Sequence, residues 1–143
     1  MKRQMYEREV DVPRLMARFP ADGPGHPVLA SIEEALRLRY RRPDWHVSAA
    51  LYRDGRDSVA FHGDRMGAQR ADTVVAIVSV GEPRRFLMRP AAGGPSMRFH
   101  VGWGDLLVMG GTCQATWEHA IPKAAHAGAR MALMFRPKRV DEV

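Results

Sequence analysis

From Arg41-Arg42-Pro43 onward the chain breaks into short runs rich in Val, Ile, Phe, Tyr, Met and Ala, each closed by Gly, Pro or Asp, and this punctuation constrains the fold more than any other feature. β-Branched and aromatic residues suit a pleated, half-buried surface, and turn residues at short intervals leave no room for long helices. Strands are expected over 49–52, 58–62, 73–80, 85–89, 97–101, 105–109, 115–119 and 131–136. A succession of short strands of this kind suits a jelly roll or sandwich. Upstream, Val28, Leu29, Ile32, Leu36 and Tyr40 recur at helical spacing and predict a helix over 27–40. Glu33 and Glu34 come early in it and Arg37 and Arg39 late, the order the helix dipole favours. Residues 21–27 crowd Gly and Pro into a loop, and Val10 and Val12 before Pro13-Arg14 suggest a short extended stretch. The expected class is mainly β with a flanking helix (α+β), in one domain spanning 1–143, a length that suits a single core.

Within the strand-rich part, His62 and Asp64 are two residues apart in Ser58-Val59-Ala60-Phe61-His62-Gly63-Asp64. Residues two apart on a strand share a face, so the two side chains can grip one ion. A second histidine from a distant segment would complete a two-histidine, one-carboxylate triad, which leaves coordination positions of an iron(II) ion open. His119, in Thr116-Trp117-Glu118-His119, is the candidate. His26, His46 and His126 sit in loops or beside strands and receive the ordinary structural reading, His100 is read as a nucleic-acid or structural contact, and the nine methionines are read as filling core gaps.

The last strand alternates Arg130, Ala132, Met134 and Arg136 on one face with Met131, Leu133 and Phe135 on the other. If the second face packs in a core, the arginine face looks either to solvent or to a barrel interior. Inward arginines are costly unless an anion pairs with them, and two of them would suit a dicarboxylate. Tyr52, before the Arg53-Asp54-Gly55-Arg56-Asp57 link, either packs as an ordinary strand aromatic or is carried toward the His62 and Asp64 end, where its hydroxyl would bind a ligand carboxylate.

Lys and Arg exceed Asp and Glu by 22 − 16 = 6, and the pI of about 10.2 is compatible with a polyanionic partner such as nucleic acid or an anionic membrane surface, or with a merely basic protein. The single cysteine, Cys113, cannot close an intramolecular disulfide, which fits a reducing compartment, and a cytoplasmic location is expected. No run is long and apolar enough for a membrane span, and Met1-Lys2-Arg3 is not followed by an apolar signal core.

Taken in order, these motifs resemble the AlkB family of iron(II)- and 2-oxoglutarate-dependent dioxygenases, which repair alkylated nucleic acid bases. Leu51-Tyr52-Arg53-Asp54-Gly55 with Ser58 to Asp64 resembles the family's Tyr-x-x-Gly strand pair leading to His-x-Asp. Gly104-Asp105-Leu106-Leu107-Val108-Met109-Gly110-Gly111 resembles its Gly-Asp-apolar run. Trp117-Glu118-His119-Ala120-Ile121-Pro122-Lys123 resembles its distal histidine followed by Pro-Lys, and the strand from Arg130 to Arg136 its Arg-x5-Arg. The resemblance covers about residue 45 to the end.

What it implies is a double-stranded β-helix (jelly roll) over 45–137, with iron(II) held by His62, Asp64 and His119 as the catalytic centre. The co-substrate 2-oxoglutarate would be bound by Arg130 and Tyr52 at its far carboxylate and by Arg136 near its keto-acid end, with O2 as oxidant. The implied reaction is oxidative demethylation of 1-methyladenine- or 3-methylcytosine-type bases, releasing formaldehyde, succinate and CO2. Its substrate would be single-stranded or flipped-base nucleic acid, since a stacked base cannot reach a buried iron. No membrane and no obligate protein partner are implied. Residues 1–20 would form part of a nucleotide-recognition lid, with Met5, Tyr6 and Arg14, and Met66 beyond the metal aspartate, as nucleic-acid contacts.

Two departures stand out: family members commonly carry asparagines where this chain has Ala50 and Ala132, and they carry tens of residues before the Met-Tyr stretch that opens it. The second suggests an amino-terminally truncated chain. Two other readings stay open. One is a hydroxylase of the same fold acting on RNA, a nucleotide or a protein, and the other a catalytically impaired nucleic-acid-binding remnant.

Overall fold

The computed structural model describes residues 2–5, 8–11, 13–20, 25–64 and 72–138. The elements, in chain order, are β1 (Lys2–Met5), β2 (Arg8–Asp11), β3 (Leu15–Arg18), α1 (Pro27–Tyr40), β4 (Trp45–Tyr52), β5 (Val59–His62), β6 (Thr73–Gly81), β7 (Arg84–Pro90), β8 (Met97–Val101), β9 (Leu106–Gly111), α2 (Cys113–Thr116), β10 (Trp117–Ile121) and β11 (Arg130–Pro137). β1 and β2 pair with each other; the rest form a five-stranded sheet ordered β3-β4-β11-β6-β9 and a four-stranded sheet ordered β5-β10-β7-β8. Neighbouring strands in both sheets run antiparallel. Mainly β architecture with little helix is thus what the chain adopts.

Alternation along β4 and β11 divides the large sheet into two working faces. Trp45, Val47 and Phe135 point to one side, where they pack with Ala76 against Leu29 and Leu36 of α1. Ala50, Tyr52 and Ala132 point to the other, into a core shared with Val59, Phe86, Val101 and Ile121 of the small sheet. Burying each large apolar side chain contributes about 1.5–3 kcal/mol, so both faces hold the sheet in place. The arginine-bearing face of β11 therefore looks inward between the sheets, which decides the alternative left open by the sequence.

Helix α1 begins where expected, with Pro27 at its start and His26 as its cap, the Nδ1 of His26 accepting from the Val28 N–H at 3.2 Å. It ends at Arg41, whose φ of 55° lets its N–H reach the Arg37 carbonyl. Glu33 and Glu34 lie beyond the first turn, so they do not serve the dipole; both pair with Arg37 instead. β4 starts earlier than expected because Trp45 and Val47 have the helix to pack against and Pro137 to face in register. The strand expected over 115–119 is displaced: Cys113–Thr116 is one helical turn, closed by the Ala115 and Thr116 N–H groups and the Thr116 hydroxyl, all on the Thr112 carbonyl.

The 53–58 link does not make a hairpin. It carries the chain from the large sheet to the small one, so Tyr52 ends beside Val59, at the start of β5, while His62 lies at the other end of that strand. The expectation that the turn would bring Tyr52 to the His62 and Asp64 end is corrected accordingly. Among the described residues no helix is long and apolar enough to cross a membrane.

Candidate metal centre and co-substrate pocket

β5 and β10 pair so that His62 stands directly opposite His119, and a register irregularity follows before the next pair. Asp64 lies two residues beyond His62 on the chain. The Nε2 atoms of His62 and His119 are each 3.5 Å from Asp64 Oδ1, and the ligand atoms of the three residues lie within 4.8 Å of one another. His62 Nδ1 is 2.8 Å from the Ala60 carbonyl, a contact that places the ring proton on Nδ1 and turns the Nε2 lone pair toward the cluster. The His119 ring is stacked on Phe86, at 5.4 Å between centroids and 9° between planes, which fixes its orientation.

Burial by itself pushes the Asp64 carboxyl upward. Hydrogen bonds to His119 and His62, with the charges of His119 and Arg136, outweigh it and hold the group well below the usual carboxylate range. A carboxylate and two imidazole nitrogens make the donor set that suits a divalent iron with open positions.

Two elements missing from the sequence reading steady this carboxylate. The Asp64 N–H donates to Gln114 Oε1 at 2.7 Å, and Gln114, buried in α2, points its Nε2 at Met109 Sδ, 3.7 Å away. Gly63 makes the approach possible: a Cβ there would lie 2.9 Å from the Gln114 carbonyl oxygen. Beside the triad opens a cavity of about 180 Å³, lined by Met88, Met97, Gly110, Thr112, Cys113 and Trp117, with Met88 opposite His119 in register. Burial, and then Asp64, push the Cys113 thiol up, so it stays protonated.

Further along the same interior, Arg130 is opposite Tyr52 in register and Ala132 opposite Ala50. Arg130 is 2 % exposed; its Nη2 donates to Ser79 Oγ at 2.8 Å, while its Nε and Nη1 have no partner. Burial pushes its guanidinium down, with the like charges of Arg84 and Arg14 acting in the same direction and Tyr52 opposing them. Arg84, Arg14 and Arg130 all lie within 6.0 Å of the Tyr52 ring centroid. Arg84 spends its donors on the carbonyls of Asp54, Asp57 and Pro122. Orphaned guanidinium N–H groups in a buried site fit a carboxylate, so the residues present are compatible with an anionic co-substrate.

The sequence-derived candidates thus fall into two groups on one interior: His62, Asp64 and His119 together, with Arg136 close enough to lower the Asp64 carboxyl, and Tyr52 with Arg130. Of the nucleic-acid candidates, Arg14 is buried on Tyr52, not turned outward. Met5 lies in β1, with its side chain outside the described set, and Tyr6 and Met66 lie outside the described residues.

A two-histidine, one-carboxylate centre inside a jelly roll defines a class of non-haem iron oxygenase. The sequence profile of the 2OG-Fe(II) oxygenase superfamily matches residues 15–141, and the chain belongs to that superfamily. It is similar to alpha-ketoglutarate-dependent dioxygenase alkB homolog 3 of Homo sapiens, with 31% identity over 121 residues, 78% of this chain and 42% of the relative. The Mus musculus protein of the same name is 36% identical over 96 residues, 60% of this chain and 34% of the relative. These similarities agree with the AlkB resemblance of the motifs, and the chain spans less than half the length of either relative. Among solved structures, the fold is shared with OsALKBH1, at a TM-score of 0.55 and 18% identity over 76% of this chain and 59% of that one. It is also shared with a Pseudomonas putida prolyl-4-hydroxylase, at 0.60 and 20% over 87% and 71%. The superfamily uses iron(II), 2-oxoglutarate and oxygen, with which the triad is compatible.

Proposed function

We propose that the chain carries out iron(II)- and 2-oxoglutarate-dependent oxidative demethylation of N-alkylated bases, of the 1-methyladenine and 3-methylcytosine type, in single-stranded DNA or RNA. The observation that carries this reading is the pairing, in one interior, of the His62, Asp64 and His119 donor cluster with a buried arginine whose donors lack a partner. The similarity to alkB homolog 3 and the net charge of +6 support a nucleic-acid substrate.

In this reading His62, Asp64 and His119 hold iron(II), and Arg130, Tyr52 and Arg136 hold 2-oxoglutarate. When bound, these groups supply the oxidising chemistry: one oxygen atom of O2 ends in succinate as CO2 leaves, and the other hydroxylates the N-methyl carbon, which departs as formaldehyde. The chain's own part is positional. The Ala60 carbonyl holds the His62 tautomer, Phe86 holds the His119 ring, and Gln114 holds the Asp64 backbone. Burial of Tyr52 and Arg130 keeps water from the anion they bind. A cytoplasmic location, and a nucleic-acid lid over the part of 1–20 that precedes Arg14 and β3, belong to the same proposal.

The test is anaerobic reconstitution with iron(II), then air, 2-oxoglutarate and a single-stranded oligonucleotide carrying 1-methyladenine or 3-methylcytosine, reading succinate and oligonucleotide mass together. Loss of one methyl mass with matching succinate, both absent in His62→Ala, is the expected result. Succinate without demethylation points to a hydroxylase with another substrate. Oligonucleotide binding with neither product from an iron-loaded sample points to an impaired remnant.

A further inference from the structure

Arg14 immediately precedes β3, and the register of that strand with β4 sets Leu15 opposite Leu51 and Met16 opposite Ala50. Since side chains alternate, Arg14 falls on the inner face with Met16, at the end of the row that continues through Tyr52 and Arg130. Its contacts agree with that placement. Nη1 donates to the Tyr52 hydroxyl at 3.0 Å, the guanidinium lies 6.0 Å from the ring centroid, and the residue is 9 % exposed. The backbone just before it is tied down by the Ser58 N–H, which donates to the Pro13 carbonyl at 2.8 Å.

The row has an unbalanced charge. Arg14 Nε lacks a partner, as do Nε and Nη1 of Arg130. None of the ion pairs found among the described residues includes either arginine. Two neighbouring buried cations with orphaned donors are unfavourable unless an anion completes them. In the adjoining row Ala50 and Ala132 carry no polar atom, and the Ser79 hydroxyl opposite Ala132 takes only Nη2 of Arg130.

We propose that Arg14 is a binding residue for the co-substrate, a second guanidinium that shares the distal carboxylate of 2-oxoglutarate with Arg130 and Tyr52. The inference rests on the co-substrate reading above. It moves Arg14 from the nucleic-acid side of the reaction to the dicarboxylate side, and it makes the amino-terminal strand part of the co-substrate pocket. It also sets specificity: two arginines on one carboxylate favour a 2-oxo diacid over a 2-oxo monoacid.

The test compares the parent protein with Arg14→Met and Arg14→Lys, loaded anaerobically with iron(II). Each is titrated with 2-oxoglutarate, with 2-oxobutyrate, which lacks the distal carboxylate, and separately with an unmodified single-stranded oligonucleotide. Arg14→Met is expected to weaken 2-oxoglutarate binding about tenfold to a hundredfold, with Arg14→Lys between it and the parent. Iron, 2-oxobutyrate and oligonucleotide affinities stay within about twofold, a margin of roughly 0.4 kcal/mol. Should Arg14→Met misfold, the Lys variant, which keeps the charge and loses the planar fork, decides alone by the same ratio of diacid to monoacid affinity. Unchanged 2-oxoglutarate binding with weakened oligonucleotide binding overturns the proposal and returns Arg14 to the nucleic acid. An iron-loaded parent that binds no 2-oxoglutarate overturns the co-substrate reading itself, an outcome visible before any variant is made.

Discussion

At the scale of single residues, function and stability pull against each other at Arg130. Its guanidinium is 2 % exposed, meets Ser79 through one nitrogen and leaves Nε and Nη1 unpaired. Replacing a buried, incompletely paired ion by an apolar side chain of similar length is often neutral or stabilising by about 1–4 kcal/mol. Arg130→Met is therefore expected to hold or raise the urea midpoint of the metal-free protein while abolishing measurable 2-oxoglutarate binding. A variant that unfolds easily yet still binds the diacid would contradict this assignment of the residue. The triad was legible in the sequence because the two-residue spacing keeps His62 and Asp64 close, although β5 ends at His62 and Gln114, not strand alternation, holds the Asp64 backbone; β10 then supplies His119 directly opposite His62. Arg14 was not, since its inward direction depends on pairing with a strand tens of residues away, and a basic residue near an amino terminus reads by default as a surface group.

Among the elements, the single turn α2 does more than join β9 to β10. Gln114 sits in it, and its Oε1 receives the Asp64 N–H across a chain separation of 50 residues. The side chain thereby links the segment that carries one ligand to the element that leads into the strand carrying another. Gln114→Met keeps the bulk of the side chain and removes the acceptor. Loss of an outer partner of this kind typically costs about 10–100-fold in metal affinity. That drop is expected in a titration with iron(II) or manganese(II), with the thermal midpoint of the metal-free protein nearly unchanged. Gln114→Glu, which retains an acceptor oxygen, is expected to keep most of the affinity; equal loss in both variants would reduce Gln114 to packing. Sequence pattern placed a strand over this turn because Ala115 to His119 carries strand-compatible residues. Thr112 decides otherwise, its carbonyl gathering three local donors, a competition that apolar periodicity does not register. The strands β4, β6, β9 and β11 of the large sheet, by contrast, were expected from their apolar runs, though β3 at its edge was not, and the inward arginine face followed once α1 claimed Phe135 for the other side.

Over the whole molecule, the two sheets are joined at one end by the 53–58 link, and its geometry couples stability to pH. Asp57 accepts from the Arg53 N–H at 2.8 Å, from Arg53 Nε at 2.8 Å and from Nη2 at 3.1 Å, while its carbonyl receives Arg84 from the small sheet. The Arg53 side-chain hydrogen bond holds the Asp57 carboxyl below its ordinary value, overcoming the opposing effect of burial. A carboxyl depressed in the folded state binds fewer protons there than in the unfolded chain, so its stabilisation is fully present above the unfolded value of about 4 and is lost as pH falls through the folded value. Asp64 is depressed as well, and acts with the same sign. Arg53 is about half exposed, so its ion pair is screened and the backbone N–H contributes a good part of the effect. Asp57→Asn is expected to lower stability by roughly 1–2 kcal/mol at neutral pH and by progressively less toward pH 2, as the parent protonates the same carboxyl. Urea midpoints from pH 7 to pH 2 should thus converge for parent and variant at the acid end, and Asp64→Asn should flatten part of the acid dependence that remains. Parallel curves, displaced equally at all pH values, would mean that Asp57 acts through its shape in the link and that its charge is not what ties the two sheets together.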